Sequence, residues 1–344
     1  MTFSTVKMLS ENGILSAKSM IEDLNLTQQR FVSKLPLIIT ILGLIGFVGN
    51  LFTFLQPTLR KNAFCIYTLS ASLIDIINLS VNLCPQYFNP SPGGLFAEIS
   101  DRFTCKLRLF ALVVLPQLSL NLLIMSLVDR FACTFPSTSR MSRLLKLKMV
   151  PLMIFITIII SSIESLYSPL LYDIIPDYGC GVTHATENAV SYIAIHGILT
   201  PAIMVTLVGL TYRRFSRGRQ RVGAVTTANQ NRFRNQFVAM VFTQVFVSSF
   251  FVLQWIGMYW YFLATQYDNK TAEQWTITYF MLSLTNNFYY MINVRSFYLS
   301  TLTSRLFRET MMAGFLKLLP GNLHRQWNAR NLTAPNTIGT RTVE

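Results

Sequence analysis

The hydrophobic positions of this chain fall in long blocks separated by short polar stretches. Seven such blocks run roughly over Leu35–Leu55, Phe64–Tyr87, Leu107–Cys133, Lys148–Leu171, Ala189–Tyr212, Phe237–Leu263 and Trp275–Leu299. Each is about the ~20 residues that a helix needs to cross a bilayer. The pattern predicts an all-α membrane protein: a polar amino-terminal segment over 1–34, a seven-helix bundle over 35–303, a surface helix over 304–316 and a polar tail over 317–344. Within Ser304–Phe315, Leu306, Phe307, Met311 and Phe315 recur at helical spacing with Arg305, Arg308 and Glu309 between them. That is the pattern of an amphipathic helix lying on a membrane surface.

The block ending at Arg130 organises the rest. From Cys105 to Arg130 is 25 positions, or ~37 Å of helix at about 1.5 Å per residue. The hydrocarbon core is ~30 Å thick. One helix can therefore hold a thiol on one side of a membrane and the Asp129-Arg130 pair on the other.

Composition agrees with the pattern. Of 344 residues, 51% are hydrophobic and 13% charged, where a soluble domain carries about 25% charged residues. The mean hydropathy is +0.41. A net charge of +14 would point a soluble chain towards nucleic acid. Here the basic residues sit in the short segments between blocks, so lipid is the expected partner and nucleic acid is not.

Those segments also orient the chain. One set carries Arg60 and Lys61, then Arg140, Arg143, Lys146 and Lys148, then Arg213, Arg214, Arg217, Arg219, Arg221, Arg232 and Arg234; the tail adds Arg305, Arg308, Lys317, Arg325 and Arg330. The opposite set carries Glu98, Asp101, Asp173, Asp177, Glu187, Asp268 and Glu273. By the positive-inside rule the amino terminus is outside and the tail inside, and the first helix acts as its own insertion signal. The sequons at Asn25 and Asn269 then face outward as glycosylation sites, whereas those at Asn78 and Asn331 fall in a span and in the inner tail.

Five cysteines show no CxxC and no His/Cys ligand spacing, so a zinc site is not expected. Cys105 and Cys180 lie at outer loops or loop–helix borders, where they either bridge or stand as free thiols. A bridge would pin the loop around Cys180 to the top of the third helix. No cysteine follows Cys180, so the surface helix carries no palmitoylation site. Pro85, Pro116, Pro169 and Pro201 lie within spans; each frees a backbone carbonyl, and the kinks are expected to splay an outward-facing cavity. Trp255, Tyr259, Trp260, Tyr261 and Trp275 are expected mostly as interface anchors. The ionisable residues within spans are Asp75, Asp129 with Arg130, Glu164 and Arg295. Asp75 lies too deep to reach water and needs a partner. Asp129-Arg130 can neutralise itself, and Arg295 is expected to snorkel to phosphates. Glu164, near the outer half of the fourth span, either lines the cavity or is neutral.

Taken in order, these residues resemble the rhodopsin-like (class A) G-protein-coupled receptors over roughly 35–316. Gly49-Asn50 matches the family's first-helix pair. Asp75 in Leu69–Asp75 resembles its LAxxD pattern. Cys105, followed 25 positions later by Arg130 in Asp129-Arg130-Phe131, resembles the spacing from the disulfide cysteine to the DRY motif, and Pro201 matches the fifth-helix proline. The departures are Phe131 for the DRY tyrosine, no fourth-helix tryptophan, no CWxP in the sixth helix, where Gln254 stands near the proline's place, and no NPxxY. Ser296–Ser300 falls in the NPxxY place, with Asn293 and Tyr298 as the nearest polar equivalents. The ending through Tyr298, Ser304 and Phe307-Arg308 resembles divergent invertebrate receptors of the neuropeptide type.

The resemblance implies no enzyme. It implies a receptor in the plasma membrane that binds an extracellular ligand and activates a heterotrimeric G protein through Asp129, Arg130 and Phe131. It also implies a core cluster of Asp75, Ser119, Asn50 and Asn293, which holds either a sodium ion or only its own hydrogen bonds. Leu112, seven positions past Cys105, stands where amine receptors carry an acid, and no lysine in the seventh span supports a retinal Schiff base. Acidic outer loops suit a basic or amidated peptide. A small-molecule or chemosensory receptor of the same fold is the alternative, and a secondary transporter the rival class, although the charge and paired broken helices typical of transporters are not evident. No GxGD, HExxH or Ser/His pairing appears within the spans. Of His184, His196 and His324, His196 is expected as a polar group of the cavity.

Overall fold

The structure is a computed structural model that describes residues 19–57, 59–60, 62–88, 101–135, 147–175, 179–221 and 228–318. Lys61, Arg140, Arg143, Lys146, Glu98, Asp177 and the tail from 319 onward, with Arg325, Arg330 and Asn331, lie outside the described residues.

Among the described residues, six helices are long and apolar enough to cross a membrane. They are α1 (Ser19–Phe54), α2 (Ala63–Phe88), α3 (Arg102–Ala132), α4 (Leu147–Leu171), α5 (Ala185–Arg214) and α6 (Ala239–Ala264). The block expected at Trp275–Leu299 is helical too, but in two pieces: α7 (Ala272–Tyr289) and α8 (Arg295–Thr303), joined by a 3-10 turn over Tyr290–Asn293. Its apolar character is diluted by Glu273, Gln274, Thr276, Thr278, Thr285, Asn286 and Asn287. A last helix, α9 (Arg305–Leu318), follows. Between α4 and α5 an antiparallel hairpin pairs β1 (Tyr172–Ile175) with β2 (Gly179–Val182), in the register Tyr172 to Val182 and Ile174 to Cys180.

The outer faces of these helices need lipid. Ile38, Ile41, Ile45 and Val48 on α1, Phe155, Ile159 and Ile163 on α4, and Phe242, Phe246 and Phe250 on α6 are all exposed. Apolar faces this extensive do not persist in water. The protein is membrane-embedded and multi-pass. The central helix is α3: 61% of its most apolar stretch is buried, against 22% in α4.

Lipid is as apolar as leucine, so close packing and polar contacts, not water exclusion, hold such a bundle together. On α1, Gly43, Gly46 and Gly49 form a small-residue stripe. A Cβ at Gly43 would clash with Leu79 of α2, and one at Gly49 would enter the Phe297 ring of α8. At Gly43 the leucine methyl would have to move aside, whereas at Gly49 a whole aromatic ring stands in the way.

Proline has shaped the backbone in two ways. Ahead of Pro85 and Pro201 the helix widens into π turns, Leu79–Leu83 and Ile193–Leu199, closed by i to i−5 bonds from Cys84 N–H to Leu79 and from Thr200 N–H to Ile195. A wider turn accommodates a residue that has no N–H and clashes with the carbonyl four back. By contrast, Pro116 lies inside an unbroken α3, where it leaves the Leu112 carbonyl without its helical donor. Pro169 follows the break between Val150–Glu164 and Tyr167–Leu171.

Two ends differ from the expected boundaries. Part of the segment over 1–34 is helical from Ser19 onward and packs on the bundle: Gln28 donates to Ser283 Oγ of α7 at 3.0 Å, and Val32 is buried. At the other end the amphipathic pattern is realised as α9. Ser304 Oγ accepts the Phe307 N–H at 3.2 Å at its start, Phe307 is buried against Phe54 and Phe297, and Phe315 packs on Phe52 with ring centroids 4.7 Å apart. Arg308 donates to the carbonyls of Thr301 and Leu302 at 2.8 and 2.9 Å, satisfying groups that the end of α8 leaves open.

Candidate functional site

Four sites lie along α3. At its first turn, Asp101 caps the helix by accepting from the N–H and hydroxyl of Thr104, both at 2.8 Å. These bonds, the backbone one foremost, hold the Asp101 carboxyl below its ordinary range. One turn on, Cys105 is bonded to Cys180 of β2. Arg102 adds an ion pair to Asp173 of β1 at 2.5 Å. The Ile174 N–H and then Arg102 hold the Asp173 carboxyl low. The hairpin is thus tied to α3 by both strands. Cys65, Cys84 and Cys133 are free.

Beneath the hairpin is a cavity enclosing about 640 Å³ of empty space, its open mouth included. Leu112 and Val113 of α3 form one wall and Tyr172 of β1 the roof; Asn188 and Tyr192 of α5, Trp255 and Tyr259 of α6, and Asn286, Tyr289 and Tyr290 after them complete it. The aromatic groups are braced against one another. Trp255 Nε1 donates to Tyr192 Oη at 3.1 Å, Asn188 donates to Tyr172 Oη at 3.2 Å, and Trp255 stacks on Tyr259 at 5.8 Å. His196 lies behind this wall, 2% exposed, stacked on Tyr192 at 4.6 Å, with neither ring nitrogen hydrogen-bonded. Trp255 and Tyr259 are therefore cavity walls, not the interface anchors expected from their place near a span end. Trp260 and Tyr261 are exposed as anchors would be. Aromatic clusters mark both settings, and the residue types alone do not separate them.

The middle of the bundle is polar. Ser119 donates to the Asp75 carboxylate at 2.5 Å. Asn50 donates to Ser72 and Ser296 at 2.7 and 3.3 Å. Asn293 accepts from Asn78 at 3.1 Å, and Asn78 in turn accepts from Asn82 at 2.6 Å. The structure thus joins Ser119 to Asp75 but puts Asn50 and Asn293 in flanking pairs. Arg295 does not snorkel. It is 6% exposed and donates to the Ile292 carbonyl, and its neighbour Ser296 accepts from Asn50, which also bonds Ser72 on the turn that carries Asp75. The reason is local: the 3-10 turn ahead of α8 aims Arg295 into the bundle. Glu164 also gains partners, accepting from Gln117 at 2.8 Å and Asn121 at 2.7 Å. The polar pair Gln117 and Asn121, four apart and so on one face of an apolar span, was the available signal for it.

At the far end of α3, Arg130 pairs with Asp129, as the adjacent charges suggested. A further partner was not foreseen: Arg130 Nη2 donates to Asn62 Oδ1 at 2.8 Å, with the guanidinium over the Phe64 ring at 5.1 Å. Phe131 packs edge-on against Phe135, whose ring carries the Arg214 guanidinium of α5 at 3.5 Å. Asn25 is exposed on the helix over 19–30. Asn269 is exposed in the turn ahead of α7, which opens with a capping box between Thr271 and Gln274.

No family model matches the chain, and the search of curated proteins also finds no match.

Proposed function

We propose that this chain is a seven-crossing receptor of the rhodopsin-like class, with α7 and α8 together as its seventh crossing. It binds an extracellular ligand in the cavity and activates a heterotrimeric G protein at the Arg130 end. The observation that carries the reading is the arrangement along one helix. A single α3 holds the stapled hairpin at one end, a cavity wall at Leu112 and Val113, and a charged pair locked to a neighbouring helix at the other. A ligand that favours one of two packings of such a bundle shifts the population of the other end.

In this reading the hairpin end, with Asn25 and Asn269, faces outside the plasma membrane, and the basic segments face the cytoplasm. Activation releases Arg130 from Asp129 and Asn62, and the G protein takes their place beside Phe131 and α9. Apart from Leu112 and Val113, the cavity is lined by aromatic and amide groups, with no carboxylate among the lining residues. A peptide ligand therefore places an aromatic or amide group there, and its basic residues meet the acids of the outer loops. The test is nucleotide exchange on purified G protein added to the reconstituted chain while a peptide library is screened. Ligand-dependent exchange supports the reading; tracer flux without exchange sinks it in favour of a transporter.

A further inference from the structure

The family resemblance implies a cluster at Asp75 that holds either a sodium ion or only its own hydrogen bonds, and the groups around Asp75 in this chain do not fit the ion. Two hydrogen-bonded bridges fix the position of that carboxylate. Ser72, three residues before Asp75, is joined through Asn50 to Ser296, at 2.7 and 3.3 Å. Asn78, three residues after, donates to Asn293 at 3.1 Å. Ser296 and Asn293 bracket Arg295. The turn of α2 that carries Asp75 is therefore clamped at both ends against the turn that carries Arg295.

Both ionisable groups are buried, Asp75 at 3% and Arg295 at 6% exposure. A buried charge persists only if paired or hydrogen-bonded. Asp75 accepts from Ser119 at 2.5 Å and Arg295 gives one N–H to the Ile292 carbonyl, and the two bridges hold these groups on facing turns. Two groups near this place remain without a partner, Arg295 Nε and Asn50 Oδ1. One is a donor and the other an acceptor, so each matches what the other lacks. A hard cation needs several free oxygen ligands, yet Asn293 Oδ1 is already engaged by Asn78. A metal ion would also sit next to a fixed guanidinium with little water to screen the repulsion.

We propose that Arg295 is the resident counter-cation of Asp75, so that the polar core of this bundle does not respond to sodium. A tethered cation cannot exchange with solution, and the balance between packings is then independent of sodium on either side of the membrane. The inference rests on helix packing and stands whether or not the chain is a receptor, so its test needs neither ligand nor G protein.

The experiment measures the melting temperature of the full-length protein in nanodiscs, in sodium chloride and in choline chloride at equal ionic strength. The native chain is expected to melt at the same temperature in both. Arg295→Gln, which removes the charge but keeps a polar side chain, is expected to melt higher in sodium by about 2 °C or more, because the ion now enters beside Asp75. That difference should vanish in the Asp75→Asn/Arg295→Gln double variant. A sodium-specific shift in the native chain that Asp75→Asn abolishes would overturn the proposal. So would a well-folded Arg295→Gln that ignores sodium. If Arg295→Gln fails to fold, the double variant decides. Recovery of folding supports the pair, since it removes the uncompensated charge; no recovery overturns it.

Discussion

One amide oxygen joins α2 to the charged end of α3: Asn62 Oδ1 accepts the Phe64 N–H at 3.2 Å, capping α2, and accepts the Arg130 guanidinium at 2.8 Å. The cap and the lock share an atom. Loss of the helix cap alone costs about 0.5–2 kcal/mol. Asn62→Ala should therefore lower the melting temperature and also remove one of the groups that hold Arg130. Under the proposed function, ligand-free nucleotide exchange on added G protein should rise. Lowered stability with unchanged basal exchange would leave Asn62 a cap and nothing more.

The hairpin is predicted to depend on its staple. Cys105 and Cys180 are 75 residues apart, and a closed loop of this size stabilises by about 4 kcal/mol in the chain-entropy account. Cys105→Ser, Cys180→Ser and the double variant should be equally destabilised and equally depleted at the cell surface, because each removes the same bond. A double variant clearly worse than either single would assign the thiols separate roles. Surface biotinylation and thermal unfolding read the two effects.

Much of this was legible in the sequence for a physical reason. A span facing lipid has to be apolar along its length, so the blocks appear in any hydropathy reading, and Asp129 and Arg130 are visible as a pair because they are adjacent. What was not legible depends on partners far along the chain. Asn62 stands just ahead of an apolar run, the usual sign of a helix cap, which announces half of its role; its bond to Arg130, 68 residues away, is set by tertiary packing. An arginine near a span end suggests snorkelling, and only the 3-10 turn at Tyr290–Asn293 turns Arg295 inward. Trp255 and Tyr259 have the same residue types as membrane anchors, and the facing of α6 alone decides between lipid and cavity.

Packing of α1 gives a prediction with a built-in control. At Gly49 an added Cβ would enter the Phe297 ring, whereas at Gly209 on α5 it would meet nothing within 4 Å. Overpacking of this kind costs about 1–3 kcal/mol, so Gly49→Ala should melt several degrees lower. Gly209→Ala should be neutral or slightly stabilising through helix propensity, worth up to about 1 kcal/mol. Equal melting temperatures for the two variants would mean that α1 shifts to make room at no cost.

The hairpin end should open in acid. Asp101 and Asp173 both titrate below the ordinary carboxylate value in the folded protein. The stability they lend is therefore fully present above the unfolded value, about 3.9, and is lost as pH falls through the lower folded values. Amide protection in β1 and in the first turn of α3, taken relative to the intrinsic exchange rate at each pH, should hold from neutral pH down to about 4 and fall below it. Asp173→Asn should remove the contribution of β1 to this dependence while leaving that of Asp101. Hairpin exchange with the same acid dependence in Asp173→Asn would place the origin elsewhere.

The cavity wall is held by a bond that can be removed from either side. Trp255 Nε1 donates to Tyr192 Oη at 3.1 Å, while Trp255 also stacks on Tyr259 and lies 6.2 Å from Tyr289. Tyr192→Phe keeps the ring against His196 and deletes the acceptor. Trp255→Phe deletes the donor but also shrinks the ring, so it carries a packing cost that Tyr192→Phe does not. A double-mutant cycle separates these effects. If the bond is shared, Trp255→Phe should cost less in the Tyr192→Phe background than in the native chain, by about 0.5–1.5 kcal/mol. Strict additivity of the two melting-temperature losses would mean that the indole and the phenol act independently. Trp255 would then shape the cavity through its ring alone. A positive coupling makes the floor of the cavity one braced unit spanning α5 and α6. Such a unit lets a ligand touching either residue bear on the packing of α6 against α5.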